Sequence, residues 1–252
     1  MPVLDMTLAR DTKKFCFLTS SVGRKLIMAI TGFAFIGFIT GHMIGNLTAY
    51  LSIVERATGK IPGTAMNEYA HFLKDVGHGY GIWGVRAGLL GLVLLHGWAA
   101  LTTTLDSWAA RPKGYRKYDR KSATWASRLM RCTAIFLALF VIYHLLHLTV
   151  GLPYLHCAEN PIVVDATGGS VDVFRNFVNG FKDPLASGIY IVANLCLGLH
   201  IWHGIWSFSQ TLGLSHPRYD KLRRYVATLW AMAIVGVNIS FPIAVQLNIL
   251  WY

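Results

Sequence analysis

Six histidines sit where such side chains are expensive. His42, His96, His144, His147, His200 and His203 all lie inside long runs free of Lys, Arg, Asp and Glu. Hydrocarbon offers an imidazole no hydrogen-bond partner, so a ring kept there is held by something or is holding something. One such ring can be a packing residue bonded to a neighbour. Four successive apolar runs that each carry at least one point to a shared ligand chemistry. Iron in a porphyrin takes two axial ligands on opposite faces, and a helix bundle can supply them from side chains projecting inward from different helices. Four ligand-bearing helices therefore suit two haems.

The elements that must position these rings follow from composition. The chain has 252 residues, is 54% hydrophobic and only 14% charged, and its mean hydropathy is +0.45. That balance is too apolar for an ordinary soluble domain. Breaking the sequence at its charges leaves five runs, over 26–54, 87–105, 132–158, 184–217 and 225–252. Each satisfies the ~20 residues that a helix needs to cross a bilayer, and none alternates as a barrel strand would. The expected fold is an all-α integral membrane bundle, a single membrane domain over 1–252, with transmembrane helices at about 22–51, 82–105, 129–151, 185–212 and 225–250.

The formal net charge of +11 does not point to nucleic acid, because its distribution has another explanation. Of the 23 Lys and Arg, 17 fall before the first span, between the second and third, and between the fourth and fifth. The two alternate loops hold seven of the 12 acids. This is the bias of cytoplasmic loops toward positive charge. It places the N-terminus in the cytoplasm and the C-terminus outside. No short apolar core followed by small cleavage-site residues precedes the first run, so that helix is expected to stay. Cys16, Cys132, Cys157 and Cys196 form no Cys-x-x-Cys-His, so a haem here is held by coordination alone.

Orientation then sorts the rings by depth. His42 and the pair His144/His147 come late in spans that run outward and fall in the outer half. His96 comes late in an inward span, and His200/His203 lie mid-depth to inner in another. An outer haem between the first and third spans and an inner haem between the second and fourth is the consistent arrangement. Within each His-x-x-His pair, three residues at ~1.5 Å rise differ by about 4.5 Å, and depth does not choose between them. In the first span Gly37, Gly41 and Gly45 form a smooth ridge beside His42, suited to close helix packing or to a flat cofactor edge. Between the first two spans, 62–79 reads as a surface helix with Met66, Tyr69, Phe72 and Leu73 on one side. The stretch 152–183 is Gly-rich, acidic and silent about chemistry.

The motifs choose where depth does not. His42 followed by Asn46, Ala70-His71-Phe72, Leu94-Leu95-His96-Gly97, Phe140-Val-Ile-Tyr-His144 and His200-x-x-x-Gly204-x-Trp206-Ser207-Phe208 together resemble the dihaem cytochrome b membrane subunit of succinate dehydrogenase and fumarate reductase complexes. The likeness is to the branch with one five-helix subunit and covers nearly the whole chain.

That resemblance implies His42 and His144 as ligands of the outer haem b and His96 and His200 as ligands of the inner one, with His147 and His203 as alternates. It implies polar groups near the cytoplasmic helix ends for the inner haem's propionates, here Ser20, Ser21, Arg24, Trp125 and Gln210. Asn46, Glu68 and His71 are the candidates for a quinone, menaquinone, at the outer interface. The implied partners are a flavoprotein and an iron–sulfur subunit docked on the basic cytoplasmic face, with a higher oligomer of the complex left open. The implied location is the inner membrane of a prokaryote. The chain carries neither a dinucleotide fingerprint nor a cysteine cluster, so acid chemistry belongs to those partners. Some members have a glutamate two residues before the fourth-span ligand, associated with a proton path, and here that position is Gly198. Two other readings remain: the quinone-reactive b-type subunit of a hydrogenase or formate dehydrogenase, and a haem-free transporter or scaffold.

Overall fold

The computed structural model describes residues 20–110, 125–151 and 171–252. Among these the chain is helical, and five helices are long and apolar enough to cross a membrane. Among the described residues Arg24 pairs with Asp106, Arg131 lies over Trp108, and Arg223 and Arg224 lie over Trp206; the end of the bundle that carries them is called here the basic end, and the other the far end.

The first crossing starts at the basic end with α1, Ser21–Leu47. Ser20 caps it by accepting a hydrogen bond from the Gly23 N–H at 3.0 Å, which satisfies one of the orphan donors of a helix start. The helix does not stop near residue 51. A 3₁₀ turn, Thr48–Tyr50, leads straight into α2, Leu51–Ala57, so the charges at Glu55 and Arg56 lie on helix beyond the apolar run. Glu55 then folds the chain back. Its carboxylate, 8% exposed, accepts from the N–H groups of Gly63 at 2.6 Å and Ala65 at 2.7 Å, at the start of α3, Thr64–Asp75. The surface helix expected at 62–79 is thus present and shorter. Gly63 sits at φ +89°, and a Cβ there would lie 2.3 Å from Phe174, so only glycine fits.

The second crossing is α4, Tyr80–Ala109, and Arg24 at the start of α1 pairs with Asp106 near its end. The third is α5, Trp125–His144, which continues as a π-helical turn over Leu145–Val150. Gly151 ends it at φ +70°. The fourth is α7, Pro184–Thr211, begun by Asp183, which accepts from Leu185 N–H. The fifth is α8, Asp220–Gln246.

One helix had no counterpart in the sequence reading. α6, Val173–Lys182, is capped by Asp172, which accepts from Arg175 N–H at 2.9 Å. It buries Phe174, Phe177, Val178 and Phe181, one apolar face at helical spacing. These join Met66 of α3, Tyr190 of α7 and Phe241, Ala244 and Val245 of α8 in the larger hydrophobic cluster. That core therefore lies at the far end, where α3 and α6 close over the bundle. Asn67 of α3 stitches the two together, donating to Asp172 at 3.0 Å and accepting from Phe174 N–H at 3.1 Å.

Toward the middle, α7 packs on α8, α5 and α1, and α4 packs on α1. A smaller cluster of Ile201, Ala231 and Ile234, flanked by Ile36 and Ile39, joins α7, α8 and α1. Going round, the order α4, α1, α7, α5 makes α1 and α5 one diagonal and α4 and α7 the other.

Candidate metal centre

Both diagonals carry facing imidazoles. His42 of α1 and His144 of α5 have ring centres 5.9 Å apart with planes at 83°. His96 of α4 and His200 of α7 have ring centres 6.4 Å apart with planes at 59°. A metal–imidazole bond is about 2 Å, and the ring centre lies about 1 Å beyond the nitrogen, so two rings on opposite sides of one metal stand about 6 Å apart. Both pairs have the separation that axial ligation requires. Among the described residues no three metal-ligating side chains converge; each layer presents two, which suits a metal that brings its equatorial ligands with it.

The ring nitrogens are sorted in a compatible way. His96 Nδ1 is 2.9 Å from Thr31 Oγ1, His200 Nδ1 is 3.3 Å from Thr133 Oγ1, and His144 Nδ1 is 3.1 Å from the Tyr190 hydroxyl. When Nδ1 is bonded within the protein, Nε2 is the nitrogen left to bind a metal. Aromatic rings fix the planes: Phe38 stacks on His42, Phe140 on His144, and Phe35 meets His96 edge-on.

The glycine ridge divides. A Cβ at Gly45 would lie 2.6 Å from the Tyr69 ring, so that position serves the packing of α3. At Gly37 and Gly41 a Cβ would meet no atom of the described residues within 4 Å. The clearance there is not consumed by a neighbouring helix, and it fits a planar cofactor edge beside His42.

The alternates face elsewhere. His147 is 2% exposed, stacks on Tyr143 at 5.3 Å, and bonds the same Tyr190 hydroxyl at 3.0 Å. A Cβ at Gly180 would lie 3.1 Å from its Cε1, so this ring is turned toward α6. His203 lines a groove with Trp202, Trp206, Arg224 and Ala227 on the α8 side.

Of the other expected residues, Ser20, Ser21 and Arg24 gather at the basic end with Gln210 of α7. Ser20 Oγ accepts the helix-cap bond, and one guanidinium nitrogen of Arg24 pairs with Asp106. Trp125 begins α5, and its side chain lies outside the described residues. Asn46 follows His42 by one turn on α1, and Glu68 and His71 stand on α3 at the same far end, with Glu68 exposed.

Three residues escaped the sequence reading: Thr31, Thr133 and Tyr190. A signal for the threonines was present. Each stands eleven residues before an outer-layer histidine, Thr31 before His42 and Thr133 before His144. Eleven residues close three helical turns to within about 20° and advance about 16 Å. The same face of each helix thus carries an outer-layer ring and an inner-layer hydroxyl.

The chain is 26% identical over 180 residues to the succinate dehydrogenase cytochrome b558 subunit of Bacillus subtilis (strain 168), a stretch covering 70% of this chain and 79% of that one. No family model and no solved structure matches.

Proposed function

We infer from that likeness, together with the paired imidazoles, that the chain is a succinate dehydrogenase cytochrome b subunit, the membrane anchor and dihaem electron conduit of a succinate:quinone oxidoreductase. The observation that carries the reading is the double facing of His42 with His144 and of His96 with His200, at ring separations of 5.9 and 6.4 Å. In this role the basic end is cytoplasmic and receives a flavoprotein and an iron–sulfur subunit, and the far end is outside. The chain does not act on succinate by itself.

Haem b, when bound, supplies one-electron reduction and oxidation at two depths. The chain's own part is placement. His42 and His144 hold the outer site, and His96 and His200 the inner site, about 16 Å away by the eleven-residue offset at ~1.5 Å per residue. Thr31, Thr133 and Tyr190 fix the ring orientations. α3 and α6 roof the outer layer with apolar side chains. Ser20, Ser21, Arg24, Trp125 and Gln210 supply polar groups at the basic end for the inner propionates. Asn46, Glu68 and His71 at the far end bind menaquinone, with Glu68 placed to hold or release a proton at the surface.

A reduced-minus-oxidised spectrum of the purified protein tests this directly. The expected result is a b-type band with two haems per chain, loss of the inner component in His200→Ala, and both components kept in His203→Ala. A ratio of one haem per chain, or loss of the inner component in His203→Ala alone, overturns the assignment.

A further inference from the structure

The inner layer differs from an ordinary pair of half-buried imidazoles in how its hydroxyl partners are themselves bonded. The Thr31 hydroxyl is 2.7 Å from the carbonyl of Ile27, one turn back on α1, and donates its proton there. The Thr133 hydroxyl lies 3.1 Å from the carbonyls of both Leu129 and Met130 on α5 and donates there. A hydroxyl has one proton. With that proton committed to a backbone carbonyl, each threonine faces its histidine only with lone pairs. The histidine must therefore be the donor: Nδ1–H of His96 to Thr31, and Nδ1–H of His200 to Thr133. Both threonines are buried, at 4% and 5% exposure, so water does not compete for either role.

We propose that Thr31 and Thr133 are positioning residues that lower the reduction potential of the inner site by accepting the Nδ1–H of its two ligands. A donated Nδ1–H pushes electron density toward Nε2, strengthening the ring as a ligand to the oxidised metal over the reduced one. The two relays act in the same sense from opposite sides, one from α1 and one from α5. The outer layer has a different partner: the Tyr190 hydroxyl shared by His144 and His147 at 3.1 and 3.0 Å. The two sites are thereby tuned by separate residues, and the inner one can be shifted alone.

This inference rests on the haem assignment made above, and its test keeps the two apart. Thr31→Val, Thr31→Ser, Thr133→Val and Thr133→Ser are made in the complete membrane complex, and each haem is titrated potentiometrically with its spectrum recorded. In either valine variant the inner site should move upward by about tenfold in its reduction equilibrium, about 59 mV for a one-electron couple. The outer site and the serine variants should stay in place. Loss of the inner haem from a valine variant but not from its serine counterpart supports the same role. A valine variant that keeps both haems at unchanged potentials, or a serine variant that shifts or loses haem as its valine counterpart does, overturns the inference. An unsubstituted complex without b-type absorption overturns the haem assignment instead.

Discussion

Glu55 shows what one side chain can decide in this chain. It stands two residues before the end of α2 and receives two backbone N–H groups, from Gly63 and Ala65, so one carboxylate both ends a crossing and starts the helix that roofs the outer layer. Glu55→Gln keeps one acceptor and sets an amide NH₂ against the second N–H, leaving a buried donor unpaired at a cost of about 1–3 kcal/mol. Under the proposed function, the expected outcome is a lower unfolding midpoint with the inner haem spectrum unchanged, measured by thermal melts followed at both haem bands. The same scale shows what a sequence can and cannot disclose. The six intramembrane histidines stood out because imidazole is costly in hydrocarbon, and their depths followed from helix direction. Thr31 and Thr133 did not stand out, because a threonine in a membrane helix can satisfy itself on its own backbone, as both do. Only their eleven-residue distance from His42 and His144 distinguishes them. Tyr190 was hidden for a similar reason: tyrosine is at home in an apolar run, and its partners are on another helix.

At the scale of the helix, the α7–α8 contact accounts for Gly198. A Cβ at this position would lie 2.4 Å from Val235 Cγ2 of α8, well inside any normal contact. α8 therefore occupies the place where a side chain two residues before His200 would go, and a glutamate there would need the two helices to part. Gly198→Ala should destabilise the bundle by about 1–3 kcal/mol, the usual cost of overpacking. Val235→Ala in the same molecule should recover most of the loss, and a double-mutant cycle of thermal stability reads the coupling. No recovery would mean that the strain lies elsewhere. The helices themselves were legible as charge-free runs. Their ends were less so, since α2 carries Glu55 and Arg56 past the apolar stretch and α8 opens on Asp220 and Lys221. α6 was missed although Phe174, Phe177, Val178 and Phe181 have helical spacing. Its ten residues are few, and what makes it fold is burial against α3, α7 and α8 rather than any local propensity.

The whole sequence is polarised, with 17 of its 23 Lys and Arg before the first span, between the second and third, and between the fourth and fifth. Under the proposed function the basic end meets the soluble subunits, so their association should weaken as salt rises past about 0.1 M, where the screening length falls to about 10 Å. Sedimentation of washed membranes measures it: the flavoprotein should release progressively with salt, and release independent of salt would place the attachment on apolar contacts instead. The eleven-residue interval in α1 and α5 has a consequence at this scale. Adding or removing one residue between Thr31 and His42 would turn one layer about 100° against the other, sending the hydroxyl or the ring into lipid. Substitutions inside that interval touch one group at a time, whereas a change of length misplaces everything beyond it. The two helices therefore behave as rulers: their composition can drift, but the count between the two marks is fixed, and freedom to gain or lose residues is left to the loops.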